Sequence, residues 1–174
     1  GRGYGEKGFP PPDKGSGVYL RFDTAKAAQI TLRVGISYVS QANAQANLAA
    51  EIPAGTALTT VRDQAQSAWR EQLNDIEITG GTQDERAIFY TALYHSLLHP
   101  NVFSDVNGEY AGFDGRSHRL ERGQKAQYAN FSGWDIYRSQ IQLIAFLEPQ
   151  RAGDIAQSLY NQARQHGGVW DRWT

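Results

Sequence analysis

Hydrophobic positions along this chain first repeat every second residue and then every three to four. Residues 18–22 (VYLRF) and 28–40 (AQITLRVGISYVS) alternate apolar and polar side chains, placing Ile30, Leu32, Val34, Ile36 and Tyr38 on one face. A period of two predicts half-buried strands, and two strands of this kind need more sheet to pack on. The period lengthens after Ser40. The Ala-rich stretch 41–52 (QANAQANLAAEI) predicts a helix capped by Ser40 and ended by Pro53 and Gly55. Leu58, Val61, Ala65, Ala68, Trp69 and Leu73 then recur at the spacing of an amphipathic helix. A short extended piece, DIEIT, follows at 75–79 and is closed by Gly80-Gly81.

Thr82 and Glu85 form the T-x-x-E pattern of a capping box, so a helix begins near Gln83. Its body, ERAIFYTALYHSLL, is apolar around nearly the whole circumference and predicts cover on most sides. It stops at His99-Pro100. Residues 102–113 (VFSDVNGEYAGF) predict a hairpin turned at Asn107-Gly108, with a second turn at Asp114-Gly115. A polar loop runs on to Asn130. A mostly apolar helix of about three turns is expected over 135–147. Beyond Pro149 a second helix shows an apolar stripe of Ala152, Ile155, Ala156, Leu159, Tyr160 and Ala163, with Gly167-Gly168 at its end.

One nearly all-apolar helix joined by a minimal turn to an amphipathic one is the asymmetry of a double ring. Inner helices are covered all round, and outer ones show a face to water. The turn at Glu148-Pro149 is short, whereas the connection from His99 to Trp134 is long, and long connections in compact domains are usually functional. Long loops gathered at one end of such a ring would put Trp134-Asp135 and residues 170–173 at that end. Free N–H groups at the inner helix starts would then face a polar ligand.

Composition narrows the class. With 40% hydrophobic and 20% charged residues, the chain is ordinary for a globular protein. A net charge of -1 excludes a broad basic surface for nucleic acid. No apolar run is long enough to span a membrane. The chain has no cysteine, which removes disulfides, thiolate metal sites and a Cys nucleophile. It opens at Gly1 without a Met or a signal peptide, its first 17 residues read as a Gly- and Pro-rich loop, and two of its four tryptophans fall in the last five residues. These features predict a piece of a longer protein.

Trp134-Asp135, within NFSGWDIYRSQ, admits two readings. In one, Asp135 caps a helix while Trp134 packs. In the other, the indole offers an apolar face to the C–H edges of a sugar ring while the carboxylate accepts from its hydroxyls. His95 and His99 have the spacing of a metal pair, but Ser96 stands where the zinc-protease signature needs Glu. Asp105, Asn107, Glu109 and Asp114 superficially resemble calcium ligands, yet the EF-hand order fails and turn chemistry accounts for Asn107-Gly108. Arg138 and Arg172 could bind substrate, but buried ion-pair partners are the more common role of such residues. No phosphate loop, G-x-S-x-G elbow or catalytic triad is present.

Taken together, RAIFYTALYHSLLHPNVFSDVNGEYAGFDG, NFSGWDIYRSQ and GGVWDRW resemble glycoside hydrolase family 92, exo-acting calcium-dependent α-mannosidases. VGISYVSQANAQANLAAEI is similar to that family's passage out of its N-terminal β-sandwich. The resemblance spans roughly residues 18 to 174. It implies an α+β fragment: residues 1–55 as the end of a β-sandwich, 56–81 as a linker helix and short strand, and 82–174 as the first helices of an (α/α)6 barrel. It further implies removal of terminal α-linked mannose, α-1,2 by expectation, from glycans by calcium-assisted inverting hydrolysis. A glutamic acid would protonate the leaving oxygen and a carboxylate base would activate water. Trp134 and Asp135 match the Trp-Asp pair of the terminal-mannose subsite, and Trp173 is expected to line the same pocket. The catalytic acid and base and the calcium ligands are expected outside these residues, which makes this piece inactive by itself. The resemblance also implies a secreted, periplasmic or cell-surface location. A non-catalytic carbohydrate-binding module and another (α/α)6 glycosidase or phosphorylase stand as alternatives.

Overall fold

A computed structural model describes residues 20–25 and 28–171. The chain divides into two units, 1–34 and 35–174. In the first, the described residues turn at Ala25, whose N–H donates to Asp23 Oδ1 at 3.1 Å, and carry Leu20, Phe22, Ile30, Leu32 and Val34 exposed. The strands expected at 18–22 and 28–40 are not formed among the described residues. Alternation alone does not make a strand. The backbone must ladder to a neighbour, and no described segment pairs with this one.

Among its described residues the second unit is built of six helices and four short strands. Ser40 caps α1 (Gln41–Glu51), its hydroxyl accepting from Asn43 N–H at 3.0 Å. The buried residues of α1 are Asn43 and Asn47, not an apolar stripe. Gly35 lies against this helix so closely that a Cβ there would stand 2.2 Å from the Ala44 carbonyl oxygen. Helix α2 (Leu58–Leu73) meets α3 (Gln83–Ser96) through Trp69 and Tyr94, whose rings lie edge to face at 4.5 Å. The capping box at α3 forms as expected: Thr82 Oγ1 accepts from Glu85 N–H, and Glu85 accepts from Thr82 N–H at 2.7 Å. The cover expected around α3 is absent among the described residues. Only Leu93 is buried in it, and Ile88 is 70% exposed.

Strand β1 (Asn101–Val102) pairs antiparallel with β4 (Tyr128–Ala129), in the register Asn101↔Ala129 and Val102↔Tyr128. Strand β2 (Glu109–Ala111) pairs antiparallel with β3 (Ser117–Arg119). The hairpin therefore closes over Asp114-Gly115, the second of the two predicted turns. The Asn107-Gly108 turn forms too, with Gly108 at φ 80°, its N–H on the Asp105 carbonyl at 2.9 Å and the Asp105 N–H on the Glu109 carbonyl at 2.8 Å, but residues 101–104 bond to residues 127–129 instead. Both turns were local signals; the choice of partner strand was not.

The single helix expected over 135–147 is two: α4 (Gly133–Ile136) and α5 (Gln140–Leu147). Ser139 leaves helical backbone at φ -146°, and the Tyr137 carbonyl is taken by Gln142 Nε2 at 2.7 Å. Helix α6 (Pro149–Gln165) follows at once, its missing N–H at Pro149 costing nothing in the first turn. It packs on α5 around a core of Tyr128, Phe131, Ile144 and Ile155, bordered by Leu97, Ile141 and Leu159 among others. The buried face of α6 differs from the apolar stripe of the sequence. Asp154, Ser158, Asn161 and Gln162 turn inward with Ile155 and Ala163, while Tyr160 is 49% exposed.

Those polar residues supply a loop that has too few partners of its own. Asp154 Oδ2 accepts from the N–H groups of Lys125 and Ala126 at 3.1 and 3.3 Å. Ser158 Oγ accepts from Tyr128 N–H at 2.8 Å, and Gln162 Nε2 donates to the Tyr128 carbonyl at 3.0 Å. Buried backbone polar groups must be paired, and here a helix face pairs them.

Candidate functional site

The Trp134-Asp135 corner follows directly from β4. Ala129 is locked to Asn101 by the β1–β4 ladder, Asn130 turns the chain at φ 63°, and Phe131 anchors in the core at 3% exposure. Ser132 then starts α4. It is the cap residue by position but makes no side-chain cap bond. Instead its hydroxyl donates to Asp135 Oδ2, while Asp135 N–H donates to the Ser132 carbonyl at 3.0 Å. Asp135 is thus a first-turn residue rather than the helix cap, and its carboxylate has Ser132 as a close neighbour. Trp134 is 61% exposed beside it.

Neighbouring bonds hold this corner to the end of α3. Gln140 Nε2 donates to the carbonyls of Ser96 and His99 at 2.9 and 2.8 Å. Asn130 Nδ2 donates to Asn101 Oδ1 at 2.8 Å, and Asn101 Nδ2 donates to the Leu98 carbonyl at 2.9 Å. Arg138, expected as an ion-pair partner, packs its guanidinium over the Tyr137 ring at 5.3 Å and donates to the Tyr137 hydroxyl at 2.6 Å. Trp173 and Arg172 lie outside the described residues.

The corner is exposed to solvent and lines neither of two nearby hollows. One, of about 260 Å³, is lined by Trp69, Gln72, His99, Asn101, Tyr128 and Arg151 among others. The other, of about 550 Å³, is lined by Glu51, Ser104, Asp105, Asn107, Arg119 and Gln124 among others. Burial pushes the Tyr128 phenol above its ordinary range, with Arg151 opposing. An exposed indole with an adjacent carboxylate can offer an apolar face and the carboxylate lone pairs that Ser132 does not take, the pair of contacts a sugar ring uses.

The acidic residues of the hairpin region have other work. Asp105 is 7% exposed and accepts from Ser37 Oγ at 2.7 Å, Asn43 Nδ2 at 2.8 Å and Asn47 Nδ2 at 2.7 Å. Burial works to raise this carboxyl, and the three donors outweigh it, holding the group below its usual range. Asn43 also donates to Glu109 at 2.9 Å, and with Asn107 and Arg119 it lowers that carboxyl as well. Asp114 meets His118 Nε2 at 3.0 Å, which keeps its carboxyl low. From the sequence, Asp105 and Glu109 stood only as superficial calcium ligands in a predicted hairpin, and the clasp they make with α1 was missed. The available signal was Asn43 and Asn47, four apart on one helix face. Among the described residues no three His, Asp or Glu side chains gather into one cluster.

Comparison with known proteins gives a consistent picture. The model of the glycosyl hydrolase family 92 catalytic domain matches residues 43–174. An uncharacterized secreted glycosidase of Arthroderma benhamiae is 32% identical over 97 residues, 53% of this chain and 13% of that protein. Among solved structures, the family GH92 α-mannosidase BT3965 of Bacteroides thetaiotaomicron aligns with a TM-score of 0.67 at 27% identity, over 74% of this chain and 17% of its own. The GH92 family glycosyl hydrolase ccman5 aligns with a TM-score of 0.69 at 26% identity, over 76% and 18%. The chain thus spans less than a fifth of the length of these relatives.

Proposed function

The chain belongs to glycosyl hydrolase family 92, and from that premise we propose that it is part of an exo-glycosidase removing terminal α-linked mannose from glycans. The observation that carries this reading is the alignment of three quarters of the chain with a solved α-mannosidase. Trp134 and Asp135 are its substrate-binding residues in this chain. The indole packs on the C–H face of the terminal sugar, and the carboxylate accepts from hydroxyls away from the cleaved bond. Those contacts fix the ring while the bond breaks, and hydrogen bonds that tighten in the transition state raise kcat rather than merely lowering KM. Trp173 is proposed for the same subsite.

Residues 1–55 are read as the end of a β-sandwich, 56–81 as a linker, and 82–174 as the start of an (α/α)6 barrel. Ile30 and Leu32 in the first unit, and Ile36 and Tyr38 in the second, are each exposed, as apolar side chains of a strand without its sheet would be. The general acid and base are placed elsewhere in the protein. For inversion they stand ~6.5–9.5 Å apart, leaving room for water. The described residues do not fit calcium: Asp105 and Asp114 are taken up by amides and a histidine, and no three His, Asp or Glu side chains gather among them. No step is derived through the metal, and its ligands too are assigned outside this chain. A secreted, periplasmic or cell-surface location is proposed; it is supported by the secreted relative. No helix among the described residues is long and apolar enough to cross a membrane.

The test is kinetic. In the full-length protein, Asp135→Ala should lower kcat/KM for α-1,2-mannosides by ~10²-fold with folding intact. Chelation should remove activity and added calcium should restore it. Wild-type kinetics in the variant would return Asp135 to a structural role. Glycan binding with no hydrolysis at all would favour the carbohydrate-binding module, and turnover of α-glucosides alone would favour another glycosidase of the same architecture.

A further inference from the structure

We infer that Asn130 is a positioning residue for the Trp134-Asp135 corner, aiming it through the backbone without touching substrate. This rests on the substrate-binding role proposed for Asp135. Among the described residues Asn130 is the non-glycine position with positive φ, at 63°. Asparagine visits that region more readily than other non-glycine residues, and strained backbone of this kind concentrates at functional sites.

The chain on either side is fixed. Upstream, Ala129 is paired with Asn101, and the N–H and carbonyl of Tyr128 are both bonded to α6. Downstream, Phe131 is buried in the core, and the Ser132 hydroxyl sits on the Asp135 carboxylate. Asn130 is the joint between a locked strand and the corner. Return of its φ to ordinary negative values would swing the following residues, and Phe131 burial and the direction of α4 would not both survive.

Glycine would serve a left-handed joint with no steric cost. What glycine lacks is the amide, which donates to Asn101 Oδ1 at 2.8 Å while Asn101 donates to the Leu98 carbonyl. That relay ties the joint to the end of α3. The side chain is exposed, so its packing contributes little to the core. Its distinct effect is on direction.

The full-length protein tests this with Asn130→Gly, Asp135→Ala and the double variant, assayed on an α-mannoside. Asn130→Gly should lower kcat/KM by ~10-fold, since small misplacements of a binding group are costly, with the thermal midpoint unchanged. The double variant should lose less than the product of the two single losses, because Asn130 acts in part through the Asp135 contact. Asn101→Ala, which removes the acceptor while leaving the joint residue in place, should reproduce the Asn130→Gly loss. Wild-type kinetics in both tether variants, losses that multiply with Asp135→Ala, or a parallel fall in thermal midpoint would overturn this inference alone. Wild-type kinetics in Asp135→Ala would remove the proposed site and this inference with it.

Discussion

Asp105 shows how much one side chain can hold together. Three donors from residues 37, 43 and 47 converge on a carboxylate from the hairpin region. Removing it leaves one N–H of each of two buried amides without its acceptor, although Asn43 keeps Glu109 and Asn47 keeps the Ile36 carbonyl, and an unmet buried donor costs more than the bond itself. Asp105→Ala should therefore cost about 3 kcal/mol of stability at neutral pH, read from denaturant or thermal unfolding. Its carboxyl is held below its ordinary value in the folded state. The contribution is thus complete above the unfolded pKa of about 3.9 and is lost as pH falls through the lower folded value. The gap between wild type and variant should narrow on acidification in that window. A gap that stays constant with pH would mean the carboxylate charge is not what the clasp uses. Gly35 makes a second residue-scale case. With the Ala44 carbonyl oxygen 2.2 Å from a hypothetical Cβ and the Leu48 Cβ at 2.9 Å, Gly35→Ala should destabilise by about 1–3 kcal/mol, and a neutral result would mean α1 can shift away freely.

At the scale of elements, the helix starts were legible and the buried faces were not. Ser40 and Thr82 cap α1 and α3 as their neighbouring residues predict, because a cap is settled within four residues. Ser40→Ala should lower stability by about 1 kcal/mol, measured as a shift in the unfolding midpoint. The sequence of α6, by contrast, suggests that its polar face meets water. It is the polar residues Asp154, Ser158, Asn161 and Gln162 that turn inward, since the loop at 124–128 presents N–H and carbonyl groups that nothing local can satisfy. Ser158→Val removes the acceptor of the Tyr128 N–H and should cost about 2 kcal/mol. An unchanged midpoint would imply that water or Gln124 takes over the bond. The break between α4 and α5 belongs to the same lesson, because nothing in the apolar run 135–147 marks Ser139 as a stop.

Across the whole molecule, order is uneven. Helices α5 and α6 share a buried core with β4, whereas α2 has no buried residue and α3 has one. Ile88 and Phe146 are 70% and 83% exposed, although their helices read as covered on most sides. Local opening follows local burial. In the 174-residue chain, amide exchange should therefore be slowest in α5 and α6 and markedly faster in α2 and α3, and equal protection throughout would refute that ordering. The family likeness, with this chain matching less than a fifth of its relatives, agrees with helices whose covering partners are not among the described residues.

What could be read directly from the residues was local: caps at Ser40 and Thr82, turns at Asn107-Gly108 and Asp114-Gly115, the stop before Pro149, and the Trp134-Asp135 motif that carried the family resemblance. Each rests on steric and hydrogen-bonding preferences that act over a few residues. The fold alone decided which turn closes the hairpin, which face of α6 is buried, and how Asp105 gathers Asn43 and Asn47 from a helix some sixty residues earlier. It also set Asn130 as the joint of the corner. Those outcomes depend on which distant backbone groups lack partners, and that is fixed only when the chain has closed on itself.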